Sequence, residues 1–482
     1  MTAPVAAPIV LFVLPLAAAV LSFVLPRWSR MIALAASALL FATAVWLLTL
    51  VLRLGDWRHD IGGWSAPLGT GWAVDGLAAT LVLLTAMVGL AGTVFHAARA
   101  ATGMTAHDPR LFWPLWLFLW GGLNALFLSA DLFNIYVAFE LVSIASVGLI
   151  ALAGGAAQAA AWRYLLATLF GSTLYLLGIA LLYGSTAVLD LALLAERLEP
   201  DGITTVAAAL ITTGLLLKAA MFPLHFWLPA AHGRALPAVS AMLSGVVVAA
   251  AWSLLLRLWL GPLAPLLDSA AAPLFGALGA AAVLWGGMQA LLQRHLKMLI
   301  AYSTVSQFGL ALLVFPLAAA GAHALALSGA VMLVVAHGLA KAALFLAAGT
   351  LIVHHRGGRI GALAGDQRGV MVAWAAFAVA ASSLVGLPPT GGFVGKWWLA
   401  QAALAADGWL WLVVLLLGTA LSAACLWRPL RAALSPGASV DQRLHRIASR
   451  SALAALLLAG SAAALGLAAP IIRQLLDGAA SA

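Results

Sequence analysis

The sequence of 482 residues is poor in charge and almost free of cysteine. Only 8% of its residues are charged and 65% are hydrophobic, more apolar surface than a water-soluble fold can bury. The single cysteine, Cys425, excludes an internal disulfide, a cysteine-held cluster and a CxxC redox motif. No P-loop, GxGxxG unit or metal-ligand cluster occurs. We therefore expect no cofactor and no metal in this chain.

Apolar runs of about 20 residues recur along almost the whole chain, enough to cross a hydrocarbon core of roughly 30 Å. They lack the alternation of β-barrel strands. The first run has no basic n-region, so we expect a retained helix and not a signal peptide. The pattern predicts an all-α polytopic membrane protein with about fourteen spans. The predicted spans are 4–25, 30–54, 72–97, 111–129, 131–153, 161–183, 203–231, 236–260, 272–293, 298–319, 323–353, 370–403, 406–431 and 450–476.

Two of these spans are interrupted, the seventh at Pro223 and the twelfth at LPPTGG. They lie five spans apart, which suggests two five-helix units. Because five is odd, the second unit would be inverted relative to the first, a pattern typical of transporters with sites near the membrane midplane. The predicted segments are an N-terminal three-helix segment (1–109), a first inverted repeat (110–260), a second inverted repeat (261–431) and a C-terminal helix (432–482).

The formal net charge of +9 would suggest nucleic acid in a soluble protein, but here the basic residues indicate topology, and we expect no nucleic acid partner. Loops after odd-numbered spans hold 16 of the 24 basic residues and the other loops hold 5. The 16 are Arg27, Arg30, Arg99, Arg110, Arg163, Arg234, Arg294, Lys297, Arg356, Arg359, Arg368, Arg428, Arg431, Arg443, Arg446 and Arg450. The positive-inside rule then predicts a bacterial cytoplasmic (inner) membrane protein with both termini on the outer side. The remaining three, Lys218, Lys341 and Lys396, lie inside apolar segments.

Glu140, in DLFNIYVAFELVSIAS, is the clearest acid inside a span, about nine residues from the start of the fifth. A lone carboxylate there costs several kcal/mol unless it is paired or protonated. The functional interpretation is a proton-carrying acid, and the structural alternative is a neutral acid bonded to a neighbouring helix. Asp131, at the start of the same span, is expected to be an N-cap.

Lys218 lies five residues before Pro223, in LLLKAAMFPLHFWLPAAH. A helix break frees carbonyl groups and makes room for water. Burial favours a neutral lysine and a nearby carboxylate favours a charged one. With Glu140 within reach, Lys218 could therefore exchange a proton, whereas a static ion pair would not explain the adjacent break.

His337 and Lys341, in VVAHGLAKAALF, share one face of span 11 through their i, i+4 spacing. An imidazole beside a buried lysine is suited to passing protons. Lys396, in GLPPTGGFVGKWW, follows the second break and corresponds only loosely to Lys218, because it comes after its prolines and not before.

Less specific polar residues lie near these sites. His225 is a possible relay. His232 comes close to the cytoplasmic end of its segment, where a surface role is equally consistent. A polar group in span 10 could hydrate or link a path, although small polar residues also serve as helix contacts. Its members are Ser303, Thr304, Ser306 and Gln307.

At these residues the chain resembles the antiporter-like subunits shared by respiratory complex I (NADH–quinone oxidoreductase), Mrp-type sodium/proton antiporters and group 4 membrane hydrogenases. The matching stretches run over roughly residues 110–405. They are DLFNIYVAFELVSIAS, LLLKAAMFPLHFWLPAAH with VSAMLSG, HLKMLIAYSTVSQFGL, HGLAKAALFLAAGT and GLPPTGGFVGKWW. The resemblance implies a fourteen-helix core with two inverted repeats, each a proton half-channel.

The resemblance also implies roles for single residues. Glu140 falls on the family's span-5 glutamate and Lys218 on its span-7 lysine, the coupled pair. His337 and Lys341 match the central positions of span 11, and Lys396 matches the span-12 charge near the outer exit.

Three features depart from the family pattern. Many relatives carry a lysine in span 8 where this chain has Ala249. They often read WLPDAH where this chain reads WLPAAH, and we expect no counterpart of the long lateral helix of one complex I subunit. The first departure raises the question of how a proton would pass from the first half to the centre.

The expected function is a proton-translocating membrane subunit of a complex I-type (NADH–quinone oxidoreductase) assembly, without redox chemistry of its own. Expected partners are the lipid bilayer, other membrane subunits and peripheral redox subunits. The alternatives are an Mrp-type Na⁺/H⁺ antiporter subunit, a group 4 hydrogenase membrane subunit, a partner in inorganic-carbon uptake, and a scaffold that has lost conduction. The row of buried charges is shared by the complex I-type, Mrp-type, hydrogenase and inorganic-carbon functions, so it does not separate these four.

Overall fold

The computed structural model describes residues 3–100, 109–364, 367, 369–435 and 445–477, and most of them are helical. Apolar runs of this length fold into helices because a bilayer requires each segment to satisfy its own backbone hydrogen bonds. The helices are α1 (Ala3–Val24), α2 (Ser29–Leu54), α3 (Gly76–Ala100), α4 (Pro109–Leu128), α5 (Leu132–Ala151), α6 (Ala156–Thr186), α7 (Leu191–Arg197), α8 (Gly202–Lys218), α9 (Leu228–Arg234), α10 (Pro237–Met242), α11 (Val248–Trp259), α12 (Ala272–Leu292), α13 (Leu296–Ala311), α14 (Val314–Leu317), α15 (His323–His354), α16 (Met371–Val385), α17 (Gly391–Ala405), α18 (Trp409–Ala433), α19 (His445–Ala464) and α20 (Ala469–Asp477).

Within the described residues, 11 helical segments are long and apolar enough to cross a membrane. The prediction of a mostly helical, polytopic membrane protein is thereby confirmed. One of these segments, Leu296–His354, covers two of the predicted spans, and α8 and α16 are shorter apolar helices. The exact count of fourteen spans, the inverted repeats and the four predicted segments stay predictions.

Both predicted interruptions are present. The helix α8 ends at Lys218 and α9 begins at Leu228, with Pro223 in the non-helical stretch between them. The helix α16 ends at Val385, and α17 begins at Gly391. Proline lacks an N–H donor and clashes with the preceding turn, so neither helix continues through its break.

The helix α15 lies in the interior of the protein. Nearly all of its residues from Ala326 to Leu351 are buried, and the most apolar window of Pro237–Trp259, which includes α10 and α11, is buried completely. In α1, α2, α18 and the segment Ser451–Leu476, by contrast, only 33–39% of that window is buried, so these helices present apolar side chains outward. Charged residues on α15 therefore face protein and not lipid.

A short hairpin departs from the all-α prediction. Strands β1 (Trp57–Asp60) and β2 (Gly71–Val74) pair antiparallel in the loop between α2 and α3. Arg58 Nη1 lies 3.0 Å from Asp190 Oδ1, which connects this hairpin to the start of α7. Four residues per strand are too few to give a clear alternating pattern in the sequence.

The orientation of the termini stays a prediction. Two of the basic residues on which it rests, Arg368 and Arg443, lie outside the described residues.

Candidate functional site

Glu140 and Lys218 meet between α5, α6 and α8. Lys218 Nζ lies 3.7 Å from Glu140 Oε1 and 3.4 Å from Ser143 Oγ. The hydroxyl of Ser172 donates a hydrogen bond to Glu140 Oε1. The lysine side chain is only 4% exposed and that of the glutamate is 22% exposed. The structure therefore brings the two predicted residues into one largely buried ion pair with a hydroxyl beside each member.

An aromatic ring covers the lysine on another side. Lys218 Nζ lies 5.0 Å from the centroid of the Phe139 ring, close enough for a cation–π contact. Phe139 precedes Glu140 in α5, and Ser143 lies one turn further on. Asp131 begins this helix as the predicted N-cap, which is confirmed, since its carboxylate accepts hydrogen bonds from the N–H groups of Phe133 and Asn134 at 2.9 Å.

Two features fix Lys218 at the end of α8. Trp227, beyond the break, donates from Nε1 to the carbonyl of Leu217 at 2.8 Å, so one freed carbonyl has a side-chain partner. Four residues before the lysine, Gly214 crosses Gly171 of α6, and a Cβ on Gly214 would lie 2.5 Å from the Gly171 carbonyl oxygen. This close crossing brings the backbone of α8 near the helix that carries Ser172.

His337 and Lys341 lie on one face of α15 and are buried, with 2% and 0% exposure. Lys341 Nζ donates to the carbonyl of Ile300 at 2.7 Å and to the hydroxyl of Ser303, both on α13. The His337 ring packs edge-on against Phe308 at 5.0 Å. Neither ring nitrogen of His337 has a hydrogen-bond partner among the described residues, and a buried imidazole of this kind needs water or another donor and acceptor.

Lys396 reaches back across the second break. Its Nζ donates to the carbonyls of Leu384 and Val385, each at 2.9 Å, at the end of α16. A cation there satisfies carbonyls that the helix leaves open and lies at the negative end of the helix dipole. Lys218 is likewise the last residue of the first half of its broken helix. The two lysines thus both lie near the end of a first half-helix, but Lys218 pairs with a carboxylate and Lys396 with backbone carbonyls.

A polar route along α13 runs from Lys341 towards Lys396, without a hydrogen bond between Ser303 and Gln307 among the described residues. Ser303 contacts Lys341, and Gln307 lies one turn further along the same helix face. Gln307 Nε2 lies 2.9 Å from Ser422 Oγ and 3.5 Å from the carbonyl oxygen of Leu384, which also accepts from Lys396. Of the four polar residues predicted in this span, Ser303 and Gln307 are thus on the route.

The other two members of that polar group connect elsewhere. Thr304 shares a hydrogen bond with Ser244 at 2.9 Å, and Ser306 donates to the carbonyl of Val283 at 3.1 Å. The pair at Lys218 is not linked to His337 by any hydrogen bond among the described residues. Ala249, the position where relatives often carry lysine, is fully buried in α11 and offers no polar side chain.

His225 and His232 occupy different surroundings. His225 lies in the break, 9% exposed, with its ring 5.7 Å from that of Phe222. His232 is fully buried, and its Nδ1 lies 3.0 Å from the Leu228 carbonyl of its own helix. A surface role for His232 is therefore wrong, because α9 turns inward and packs against α13. No contact with the Glu140–Lys218 pair is described for either histidine.

Three buried polar residues near the predicted sites were not predicted from the sequence. The topology prediction includes Lys297 among the basic residues of the loops. In the structure, however, Lys297 is only 9% exposed and donates to the carbonyl of Ala235. Lys297 precedes Thr304 by seven residues, which places both on one helix face and could have indicated that Lys297 is buried. Ser143 lies three residues from Glu140, which is a detectable spacing. Ser172 lies on another helix, and nothing in the sequence connects it with Glu140.

Within the described ranges, no group of three or more His, Cys, Asp or Glu side chains is arranged to hold a metal ion. The site instead consists of lysines, histidines, one carboxylate and hydroxyls, which can exchange protons. Its chemistry is that of proton transfer groups in a low-dielectric interior.

Comparison with known proteins gives consistent similarities. Residues 129–422 match the family described as NADH:quinone oxidoreductase/Mrp antiporter, transmembrane. The chain is 34% identical over 444 residues to NADH-quinone oxidoreductase subunit N of Desulforudis audaxviator (strain MP104C), covering 89% of this chain and 87% of that protein. It is 31% identical over 389 residues to an Na(+)/H(+) antiporter subunit of Bacillus subtilis (strain 168), covering 78% of this chain and 76% of that protein.

A solved structure agrees with these sequence similarities. A chain of the Mrp complex from Dietzia sp. DQ12-45-1b superposes with a TM-score of 0.90 at 26% identity. The superposition covers 100% of this chain and 97% of that one.

Proposed function

The chain belongs to the NADH:quinone oxidoreductase/Mrp antiporter transmembrane family, and from that premise we propose that it moves protons as one membrane subunit of a larger energy-converting complex. The proposal assigns proton exchange to Glu140, Lys218, His337, Lys341 and Lys396, with His225 as a possible relay. It assigns no cofactor to this chain.

The observation that carries this proposal is the Glu140–Lys218 pair at the end of a broken helix. A permanently charged pair in a membrane interior needs no helix break beside it. The break brings a non-helical backbone segment next to a lysine that is 4% exposed, and such segments within membrane proteins are either buried in protein or line water-filled cavities.

The pair would work through its separation. While Glu140 lies close, its charge and the hydroxyl of Ser143 stabilise the ammonium form of Lys218. If the carboxylate moves away or gains a proton, burial favours the neutral amine, and the lysine releases its proton. A charge that changes in a neighbouring subunit supplies the driving event in this scheme.

The second half offers a place for that proton. His337 and Lys341 receive it in the interior, and the route through Ser303 and Gln307 leads to Lys396. Transfer from the first half to His337 has to cross the region around Ala249 without a side-chain link, so we assign that step to water.

For the parent assembly we propose a complex of the NADH–quinone oxidoreductase kind. The support is the 34% identity to a subunit N over 89% of this chain. Other membrane subunits and peripheral redox subunits would then be its partners, and those redox subunits would hold the flavin or iron–sulfur groups.

An Mrp-type Na⁺/H⁺ antiporter is the second candidate. The observation that favours it is the TM-score of 0.90 over the whole chain to an Mrp complex. In that case the complex contains no redox subunits, and sodium exchange replaces electron transfer as the driving reaction.

Lys218→Ala tests the proton site. We expect the purified complex in proteoliposomes to lose at least about tenfold of its proton translocation rate, measured with a pH-sensitive dye, because the exchangeable ammonium is gone. The exposed Arg431→Gln is the matched control and should translocate like the wild type. Wild-type translocation by an assembled Lys218→Ala complex would contradict the proposal.

Purification in a mild detergent separates the two assemblies. Flavin or iron–sulfur absorption together with hydrophilic subunits supports the oxidoreductase. A colourless set of membrane subunits with sodium-dependent proton exchange supports the antiporter.

A further inference from the structure

A basic cavity borders the first helix break and includes His225, the possible relay, in its lining. Its volume is about 700 Å³, and it opens to the surface where α6, α9 and α13 meet the first helix break. This size falls within the range of small-ligand sites. Its lining residues are Arg163, His225, Phe226, Pro229, Ala230, Gly233, Arg234, Gln293, His295, Lys297, Met298, Tyr302, Ile352 and Gly358.

The charges that line this cavity have one sign. Arg163 and Arg234 are cationic, Lys297 adds an amine, His225 and His295 add two imidazoles, and no lining residue is acidic. Across the described parts of the chain, none of these five residues forms a salt bridge with a carboxylate. Concentrated positive charge in a concave, low-dielectric surface attracts anions.

The backbone around the cavity holds these donors in place. The N–H of Leu296 donates to the carbonyl of Gly358, and the N–H of Ile360 donates to that of Arg294, both at 2.8 Å. These two bonds fix His295 and Lys297 on one wall. On the opposite wall, Arg234 Nη1 lies 3.1 Å from the carbonyl oxygen of Ala156.

A glycine permits the two walls to approach. A Cβ at Gly233 would overlap with the sulfur of Met298. The helices α9 and α13 therefore pack at a distance that a larger side chain would not allow without displacement.

The mouth of the cavity borders apolar surface. Phe226, in the lining, is 59% exposed, and next to Arg163 on α6 stand Trp162 and Leu166, each 64% exposed. Tryptophan with arginine beside it is typical of the level of the lipid head groups. The surroundings thus suit a ligand with a phosphate at one end and an apolar part at the other.

We propose that this cavity binds a phosphate-bearing anion. Its two sources are the head group of an anionic phospholipid, which the apolar mouth favours, and free inorganic phosphate. Arginine and lysine side chains provide charge-assisted hydrogen bonds to phosphate oxygens, and basic pockets between membrane helices recognise lipid head groups in this way.

The test compares two double variants of the intact purified complex. Arg163→Gln with Arg234→Gln removes two cations from the cavity, while Arg27→Gln with Arg30→Gln removes two exposed arginines elsewhere as the matched control. Each sample is stripped of lipid and titrated with phosphatidylglycerol, phosphatidylcholine or sodium phosphate at constant ionic strength. Bound lipid is counted by native mass spectrometry, and stability is followed by thermal unfolding.

The expected result is selective binding of phosphatidylglycerol by the wild type and the control, weakened at least about tenfold in the cavity variant. If sodium phosphate alone stabilises the wild type and not the cavity variant, free phosphate is the source, and the proposal also holds. Equal binding of all ligands by all three proteins would overturn it, as would the absence of any phosphate or phosphatidylglycerol effect on the wild type.

Discussion

Glu140 and its partner Lys218 differ in exposure and in the side chains that contact them. Its side chain is 22% exposed and is bonded by Ser172, whereas the lysine is 4% exposed and contacts Phe139 and Ser143. Removing one member of a buried pair leaves an uncompensated charge, which typically costs about 3–5 kcal/mol. The partial exposure of Glu140 lowers that cost when Lys218 is replaced. When Glu140 is replaced, the buried Lys218 can become neutral by releasing its proton.

Glu140→Gln should abolish proton translocation and retain assembly. Glutamine keeps a carbonyl oxygen that can accept from Ser172, but it cannot carry a proton or hold the charge of Lys218. We expect the rate in proteoliposomes to fall at least about tenfold. Glu196→Gln, at an exposed carboxylate on α7, is the control. Unchanged translocation in an assembled Glu140→Gln complex would remove this residue from the pathway.

At the level of elements, close helix crossings position the broken helices. Gly171 and Gly214 face each other where α6 meets α8, and Gly329 and Gly395 do so where α15 meets α17. Each crossing involves one half of a broken helix and the long helix before that break. Small residues permit such contacts because membrane helices associate through close packing and not through the exclusion of water.

Gly214→Ala should impair transport through geometry alone. Its Cβ would lie 2.5 Å from the Gly171 carbonyl oxygen and 3.0 Å from the backbone nitrogen of Tyr175, so α8 must shift and carry Lys218 with it. We expect a lower thermal midpoint and a severalfold slower translocation rate. Gly184→Ala, on α6 with nothing within 4 Å of its added Cβ, should be neutral or slightly stabilising. Equal behaviour of both variants would show that the crossing is not constrained.

A second connection between elements is the ion pair of Asp75 and Arg257. Asp75 precedes α3, and its two oxygens lie 2.5 and 2.8 Å from the two terminal nitrogens of Arg257 on α11. Burial alone would raise the pKa of Asp75, but the Arg257 charge and backbone hydrogen bonds hold that pKa below its usual value. A carboxylate with a lowered pKa stabilises the fold above its unfolded pKa and loses this contribution as the pH falls through its folded pKa.

Asp75→Asn should therefore destabilise the protein by about 1–3 kcal/mol near neutral pH, since it removes the carboxylate that is hydrogen-bonded to the largely buried Arg257 and leaves only the more distant charge of Asp56. The difference from the wild type should stay constant from pH 7 to 5 and shrink as the pH falls below about 4, the ordinary range of an aspartate. Thermal unfolding in detergent across this range measures it.

Asp201→Asn is the control for this variant. Asp201 also caps a helix, through the N–H of Thr204, and an asparagine preserves that cap, as it does at Asp75 with Ala78. Asp201→Asn should therefore change stability little, and a loss equal to that of Asp75→Asn would show that asparagine weakens both caps and that the effect does not come from the ion pair.

At the scale of the whole molecule, the distribution of basic residues predicts both termini on the outer side. Leu68→Cys and Leu434→Cys test it on a Cys425→Ala background, because the two leucines are 85% and 79% exposed and are predicted on opposite sides. A membrane-impermeant maleimide should label Leu68→Cys in intact cells and Leu434→Cys only after permeabilisation. The reverse pattern would invert the topology.

Much of the architecture was predictable from the sequence, because the features that indicate helices and helix breaks are local in the chain. The length of the apolar runs indicated the helices, and proline indicated both breaks. The hairpin β1–β2 was missed, since its strands are too short to show a period. The buried state of Lys297 and His232 was missed because exposure depends on what packs against a residue and not on its neighbours in the chain.

The order of residues is enough to identify a helical membrane protein with isolated charges at Glu140, Lys218, His337, Lys341 and Lys396, because charge within an apolar run is visible without coordinates. Which of these residues meet is a property of the folded chain. The fold joins Glu140 to Lys218 across two helices and places polar side chains of α13 between Lys341 and Lys396. It leaves the first pair without a hydrogen-bonded link to His337 among the described residues. The physical reason is that the distance between side chains on different helices depends on how closely those helices cross. Small residues and helix ends on separate segments of the chain together determine these crossings.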